Sequence, residues 1–160
     1  MPTSSSSKRW LWKSWTELTV PELYALLKLR QQVFVVEQDC PYLDADGLDP
    51  KAHHLLGLDR HGLFATLRGF GPGILRPEQV IGRVVVAPTH RGAGWGRELM
   101  IQGQRALRHT HGPGPIWLSA QAHLEPFYSQ LGYARCGEGY LEDNIPHLPM
   151  RLPPEAPQQP

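Results

Sequence analysis

Hydrophobic and polar residues repeat along this chain with two different periods, which predicts a mixture of strands and helices. Residues 10–18 alternate and predict a first strand. From Thr19 the spacing becomes helical, and Thr19 with Glu22 has the pattern of a capping box. The residues that share one face of this predicted helix are Leu23, Leu26, Leu27, Arg30, Val33 and Phe34. We expect the helix to end within VFVVEQ, residues 33–38, before a loop rich in Asp, Pro and Gly.

Three further segments in the middle of the chain predict strands. Residues 53–59 and 62–70 are apolar runs separated by a short polar break, which predicts a β-hairpin. The segment VIGRVVVA, residues 80–87, is rich in β-branched residues. Such a continuous apolar run is typical of a central strand that is buried on both faces.

The remainder of the chain continues to alternate between helices and strands. Residues from Trp95 to HGPGP at 111–115 have helical spacing, and IWLSAQA at 116–122 predicts another buried strand. LEPFYSQLGY then predicts a short helix, and YARCGEG with IPHLPMRL predicts a closing pair of strands. The order β, α, β, β, β, α, β, α, β, β predicts the α/β class, with a central mixed β-sheet and helices on both of its faces.

Composition supports a single globular domain. The chain has 160 residues, of which 41% are hydrophobic and 19% charged. We expect this domain to span residues 10–152, with a disordered or vector-encoded N-terminus at 1–9 and a loose C-terminal tail at 153–160.

Charge and cysteine content exclude several classes of function. The net charge of +1 gives no broad basic face for nucleic acid. No apolar run approaches the roughly 20 residues that a membrane span needs. Cys40 and Cys136 have no metal-ligand spacing, and no signal peptide is visible, so we expect a cytoplasmic protein without a disulfide framework.

The segment APTHRGAGWGRELM, residues 87–100, places three glycines and two arginines where a strand leads into a helix. Helix N-termini carry unpaired N–H groups and a positive partial charge, and glycines let an anion approach the backbone. The spacing matches neither the dinucleotide fingerprint nor the Walker loop. We therefore expect a phosphate or pyrophosphate site, with charge added by Arg91 and Arg97.

The pattern R-x-x-G-x-G, Arg91 to Gly96, resembles the pyrophosphate loop of the GNAT acyl-CoA-dependent N-acetyltransferases. Three further segments strengthen the resemblance and are similar to the ElaA subgroup of that superfamily. They are LYALLKLRQQVFVVEQDCPYLDADGLD, AQAHLEPFYSQLGY and YLEDNIPHLPM. The resemblance covers nearly all of residues 10–152. It implies the GNAT fold and transfer of an acetyl group from acetyl-CoA directly to a primary amine.

The resemblance also implies which residues bind the cosubstrate. Backbone amides from the start of the glycine loop to Arg97 would hold the pyrophosphate, and the end of the predicted strand at 80–87 would pair with the pantetheine arm. Gln121, at the end of the fifth predicted strand, would line the acyl or acceptor pocket. The expected acetyl-CoA-binding residues are Val84, Val85, Val86, Arg91, Gly92, Ala93, Gly94, Trp95, Gly96, Arg97, Gln121 and Phe127.

Two residues are expected to be catalytic. Tyr128 matches the family tyrosine that faces the coenzyme sulfur and can protonate the leaving thiolate. Glu37 is the first candidate for the general base, and its alternative role is a surface ion pair with Arg30 or Arg83. The other candidate bases are Glu142, Asp143 and His147, followed by His53 and His54.

The remaining motifs predict no cofactor chemistry. DADGLD, residues 44–49, lacks the register of a calcium loop and predicts a turn, or an acidic rim for a basic acceptor. The histidines show no metal-ligand spacing, so no metal is expected. Cys40 is interpreted as structural.

Two other functions stay open beside the N-acetyltransferase. A non-catalytic acyl-CoA sensor would need the glycine loop but neither an acid nor a base, and a nucleotide-binding module would use the same loop for another phosphate. The expected partner is a small-molecule or peptide amine, and the resemblance also implies a homodimer that uses the closing hairpin as its contact.

Overall fold

The computed structural model describes residues 7–157. Parts of both predicted termini, residues 1–6 and 158–160, lie outside the described residues. The first strand begins at Arg9, and Glu155 donates a backbone hydrogen bond of 2.9 Å to the Pro113 oxygen. Backbone pairing in the structure thus extends from Arg9 to Glu155.

The described chain forms two compact units, and the domain limits proposed above stay a prediction. The first unit comprises the residues up to Arg68 together with Arg83–Gly103. The second comprises Gly69–Gly82 together with the residues from Gln104 onward. Strand β4 and helix α2, defined below, each contribute residues to both units.

The first unit is built on antiparallel strands. β1 (Arg9–Ser14) pairs with β2 (His53–Asp59), and β3 (Gly62–Phe70) and β4 (Gln79–Val86) follow in the hydrogen-bonded order. β2 and β3 confirm the predicted hairpin. β1 ends four residues earlier than predicted, because residues 15–17 form a 3₁₀ turn that leads into the first helix.

Helix α1 (Val20–Arg30) begins at the predicted cap. The Thr19 side chain accepts from the Glu22 amide at 3.3 Å, and the Glu22 carboxylate accepts from the Thr19 amide at 3.3 Å. Gln31–Glu37 continues as a π-helical segment, in which Val33 is buried with Leu29 and Val85. A π-helix pairs each residue with one five positions away, so its turns are wider than those of an α-helix. The spacing of hydrophobic residues did not predict this change.

Strand β4 contains one residue with left-handed backbone. Arg83 has φ +50°, a conformation that is not that of a regular strand. The first three residues of β4 and Val85 are buried, whereas Gly82, Val84 and Val86 are half-buried. The prediction of burial on both faces is therefore correct only for the first part of the strand.

Asp44, Asp46 and Asp49 of the DADGLD segment pair with three arginines, a set that we call the Arg–Asp network. Arg30 contacts Asp44 and Asp49 at 2.9 and 2.7 Å, and Arg68 contacts Asp46 and Asp49 at 2.6 and 2.9 Å. Arg83 contacts Asp44 and Asp46 at 2.8 and 3.3 Å. The segment is thus a structural ion-pair network, because Asp44 and Asp49 are buried against these arginines.

The second unit contains a mixed sheet. The start of β4 runs parallel to β5 (Ile116–Gln121), and β5 pairs antiparallel with β8 (Ile145–Leu152). β6 (Ala134–Arg135) and β7 (Tyr140–Glu142) both pair antiparallel with β8. The predicted closing pair of strands is therefore two short strands on one long one.

Two helices complete the structure. α2 (Trp95–His111) begins at the glycine loop, and Leu99, Gly103 and Leu107 are buried along the predicted face. α3 (Glu125–Gln130) follows β5 and buries Tyr128. Strands in parallel and antiparallel pairs, together with helices, confirm the predicted α/β class with a mixed sheet. Between residues 7 and 157 no helix is long and apolar enough to cross a bilayer.

Candidate functional site

The glycine loop, residues 91–97, owes its shape to two glycines. Gly92 and Gly94 both have φ +82°, a region that side chains disfavour. A Cβ added to either glycine would meet no atom within 4 Å. The glycines are therefore required for backbone conformation and for an open surface, not for packing against the protein.

The loop ends at the N-terminus of α2. Glu98 donates its amide to the Gly94 oxygen at 3.1 Å, which begins the hydrogen-bond series of the helix. The amides of Trp95, Gly96 and Arg97 precede this bond and have no acceptor within the helix. These amides and the helix dipole favour an anion at this point, so the loop fits a phosphate or pyrophosphate.

The side chain of Arg91 folds back onto the protein and anchors the first residue of the loop. Its Nε donates to the Val86 oxygen at 3.2 Å. Its two terminal nitrogens donate to the Glu37 carboxylate at 2.5 and 3.1 Å. Glu37 therefore pairs with Arg91 and not with the expected Arg30 or Arg83, and its pKa lies below the usual value because of this hydrogen bond.

A second anchor lies just before the loop and was not predicted from the sequence. His90 Nε2 lies 2.8 Å from Asp59 Oδ2, and the His90 ring stacks on Phe64 at a centroid distance of 4.7 Å. Trp95 contacts the same Phe64 ring edge-on at 5.5 Å. The residue before the glycine loop and Trp95 within the loop thus contact one aromatic side chain of β3.

The end of β4 contacts this loop through the Val86 oxygen, which accepts from Arg91 Nε. The parallel ladder between β4 and β5 joins Gln79 to Ile116 and Val80 to Trp117, at the start of both strands. Val84–Val86 come later in β4 than this ladder. Val85 is buried among Leu29 and Val33, so its side chain belongs to the core of the first unit.

The predicted acid, Tyr128, lies in the second unit. It is buried, and its ring contacts Phe127 at 5.0 Å and Tyr133 at 5.9 Å. Burial raises the pKa of Tyr128 to about 12. The hydroxyl therefore stays protonated at neutral pH and can donate a hydrogen bond or act as an acid.

Ladder register places five polar side chains on one face of the sheet in the second unit. Gln121 lies directly opposite His147, which in turn lies opposite Tyr140. Ser119 and Glu142 each lie two residues from a member of this row and point to the same side. We call this row the polar sheet face; its members are Ser119, Gln121, Tyr140, Glu142 and His147.

The alternative bases proposed from the sequence separate into two groups. Glu142 and His147 are brought together, with 3.3 Å between Oε2 and Nε2. Asp143 lies in the turn after Glu142 with φ +49°. His54 is buried behind the Arg–Asp network, where burial lowers its pKa, and His53 stacks on Trp12 at 5.2 Å.

Comparison with known proteins shows the family. The model of the Acetyltransferase (GNAT) domain matches residues 50–153. The chain belongs to the GNAT acetyltransferase family. Protein ElaA of Escherichia coli is 43% identical over 142 residues, which cover 84% of this chain and 90% of ElaA.

Solved structures agree with this assignment to the GNAT family. An acyl-CoA N-acyltransferase from Pseudomonas aeruginosa matches with a TM-score of 0.87 and 45% identity, covering 91% of this chain and 99% of that one. The crystal structure of Escherichia coli ElaA matches with a TM-score of 0.82 and 39% identity, with the same coverage. The resemblance to the ElaA subgroup is confirmed.

The GNAT family uses acyl-CoA as cosubstrate. The open glycine loop supplies backbone amides at a helix N-terminus. Within the described range 7–157, no group of three or more His, Cys, Asp or Glu side chains could hold a metal ion.

Proposed function

We propose that this protein is an acetyl-CoA-dependent N-acetyltransferase that moves an acetyl group directly to a primary amine. The observation that supports this most is the glycine loop, whose two left-handed glycines leave the N-terminus of α2 open to a pyrophosphate. Family membership supplies the acyl-CoA chemistry. Acetyl is the proposed acyl group, and a small-molecule or peptide amine is the proposed acceptor.

In this proposal the first unit binds the coenzyme. Amides from Arg91 through Gly92, Ala93, Gly94, Trp95 and Gly96 to Arg97 hold the pyrophosphate. The backbone of Val84, Val85 and Val86 pairs with the pantetheine arm, because these residues follow the short β4–β5 ladder. An amide near Val86 polarises the thioester carbonyl, which stabilises the oxyanion that forms on attack.

In the second unit, Tyr128 is proposed to stabilise the leaving thiolate. Burial raises the pKa of this phenol to about 12, which makes the hydroxyl a weak acid. The hydroxyl is better suited to donate a strong hydrogen bond while solvent supplies the final proton. Gln121 and Phe127 would line the pocket around the acetyl group.

Glu37 is the first candidate from the sequence for the proton acceptor, but its ion pair with Arg91 favours a different role. A carboxylate that accepts two hydrogen bonds from Arg91 takes up a proton less readily than a free one. The pair also fixes the first residue of the glycine loop. Glu37 therefore supports coenzyme binding whether or not it accepts the proton.

Calorimetric titration with acetyl-CoA tests the proposal. Gly94→Ala should weaken binding at least tenfold, because the added Cβ disfavours φ +82° at the anion site. Gly73→Ala is the matched control, since Gly73 has φ +81° with equally open space but lies in the second unit, between β3 and β4. Equal loss in both variants, or no binding by the unmodified protein, would contradict the acyltransferase proposal.

Two outcomes would favour the other functions. Binding of acetyl-CoA without transfer to any amine would favour an acyl-CoA sensor. Displacement of acetyl-CoA by a simple nucleotide would favour a nucleotide-binding module. A homodimer and a cytoplasmic location stay predictions from the sequence.

A further inference from the structure

The pairing of His147 with Glu142 creates a site that is stabilised by gaining a proton. His147 Nδ1 lies 2.7 Å from the backbone oxygen of Ile145, and because a carbonyl only accepts, Nδ1 carries a hydrogen. In the neutral ring, Nε2 is then an acceptor that faces Glu142 Oε2 at 3.3 Å. Two facing acceptors repel, and one proton between them replaces this repulsion with a charge-assisted hydrogen bond.

A chain of hydroxyl groups leads from this pair to the surface. Ser119 Oγ donates to Glu142 Oε2 at 3.2 Å and also contacts the Tyr140 hydroxyl. Since Ser119 has one proton and uses it on Glu142, Tyr140 is the donor in their contact. Tyr140 is 38% exposed, so the chain ends at a residue that is open to solvent.

The charged groups around the Glu142–His147 pair have other contacts. Burial raises the pKa of Tyr140, while its hydrogen bond with Ser119 and the nearby Arg76 oppose this rise. Asp143 follows Glu142 in the turn. Arg76 itself lies over the Trp117 ring at 4.2 Å and 3.4 Å from Glu78. The carboxylate that contacts His147 is Glu142, and its side chain remains half exposed to an incoming cation.

We propose that the polar sheet face binds the acceptor as a primary ammonium ion and that the Glu142–His147 pair takes its proton. This inference rests on the proposed N-acetyltransferase function and assigns the site at which the amine acceptor binds. Gln121, which the sequence placed at the acyl or acceptor pocket, lies opposite His147 on this face. The negative charge of Glu142 and the hydroxyl of Tyr140 suit a cation that donates hydrogen bonds.

The proposed step balances in atoms and charge. One proton leaves the ammonium nitrogen for the pair, directly or through Tyr140 and Ser119. The freed nitrogen lone pair forms the C–N bond to the thioester carbonyl carbon, and the C–S bond breaks. The thiolate leaves and gains a proton from solvent, while the proton held by the pair is released in turn.

Histidine NMR of the full chain tests the proton site without any acceptor. In ¹⁵N-histidine-labelled protein, assigned with His147→Gln, neutral His147 should carry its proton on Nδ1. Glu142→Gln should change the ¹⁵N shift of His147 Nε2, because Nε2 loses its carboxylate partner. Glu138→Gln, an exposed change on the preceding loop, should leave this shift in place. A proton on Nε2 of neutral His147, or an Nε2 shift indifferent to Glu142, would overturn the proposal.

Kinetics tests the role of the same pair in transfer. Acetyl-CoA would be combined with 2-phenylethylamine, 1,4-diaminobutane and Nα-acetyl-lysine amide, and coenzyme release followed from pH 6 to 10. Glu142→Gln should reduce kcat/KM for the amine about 100-fold at pH 7. The deficit should shrink as pH approaches the amine pKa, near 10, while the KM for acetyl-CoA stays unchanged.

The outcomes separate the two proposals. Transfer by the unmodified protein, together with an unchanged pH profile in Glu142→Gln, would overturn the acceptor site alone. Failure of the unmodified protein to acetylate any of the three amines, despite binding acetyl-CoA, would overturn the proposed amine acylation and this inference with it.

Discussion

The Arg91 guanidinium and the Glu37 carboxylate form a two-point ion pair between residues 54 positions apart in the sequence. The pair connects the end of the π-helical segment to the first residue of the glycine loop. Both side chains are more than two-fifths exposed, so the bond is screened by water and salt. Its main consequence is geometric, because Arg91 also donates to the last carbonyl of β4.

Replacing Glu37 should therefore affect acetyl-CoA binding more than the transfer step. We expect Glu37→Gln to weaken acetyl-CoA binding by about threefold to tenfold, since Arg91 loses one of its two anchors. With Glu142 and His147 as proton acceptor, the shape of the pH–rate profile should stay that of the unmodified protein. Calorimetry and steady-state rates measure the two effects separately, and a displaced acidic limb would instead support Glu37 as the general base.

Removing the Tyr128 hydroxyl should slow transfer without loosening the coenzyme. Tyr128→Phe should lower kcat about 100-fold, because the thiolate loses its hydrogen-bond donor. Acetyl-CoA affinity should change little. The matched control is Tyr133→Phe, which removes a second buried hydroxyl that accepts from Gln104 at 3.0 Å. Tyr133→Phe should reduce stability by about 1 kcal/mol and leave kcat near normal; equal rates for both variants would remove Tyr128 from the mechanism.

The Arg–Asp network should make the first unit sensitive to acid. Burial alone would raise the pKa of Asp49, but hydrogen bonds from Arg30 and Arg68 outweigh burial and lower it. The same competition lowers the pKa of Asp46. Stabilisation from such groups is complete above the unfolded pKa, near 4, and is lost as pH falls through the folded value.

Asp49→Asn tests this contribution directly. It leaves parts of two buried arginines without a charged partner, so the free energy of unfolding should fall by about 3–5 kcal/mol at pH 7. Its stability should also decline less steeply below pH 4 than that of the unmodified protein. Denaturant melts between pH 3 and 7 provide the measurement, with the exposed Asp39→Asn as a control expected within about 0.5 kcal/mol. A similar loss in both variants would contradict the importance of the network.

The turn between β7 and β8 should control the geometry of the proposed acceptor site. Asp143 and Asn144 have φ values of +49° and +62°, as in a type I′ turn. Asn144→Val should destabilise this hairpin by about 1–2 kcal/mol, because a β-branched residue disfavours that conformation. The NMR signal of His147 should then move toward that of Glu142→Gln, whereas Asn144→Gly should preserve it. An unmoved signal in Asn144→Val would show that the turn does not position Glu142.

Local patterns in the sequence predicted most of the fold. Thr19 and Glu22 cap α1 as expected, and the β2–β3 hairpin has its predicted limits, because both depend on neighbours a few residues away. Gly92 and Gly94 have the left-handed backbone that a glycine-rich loop suggests. The family assignment followed from segments that contain these same local features.

The side-chain partners could not be predicted in the same way. Arg30 shares an apolar spacing with Leu26 and Val33, yet its partners Asp44 and Asp49 lie 14 and 19 residues later. The left-handed backbone of Arg83 depends on a strand ladder and on distant carboxylates. Ser119 and Tyr140 meet only once β5, β7 and β8 are in register, and neither residue is unusual in its local sequence.

The three guanidinium groups and three carboxylates of the Arg–Asp network sum to zero formal charge. A single neutralising substitution leaves one buried charge in excess, whereas removal of an arginine together with an aspartate restores neutrality. These six positions should therefore show strong epistasis, with harmful single changes and tolerated pairs. In directed evolution, we expect these six positions to accept paired substitutions of an arginine and an aspartate but not the corresponding single substitutions.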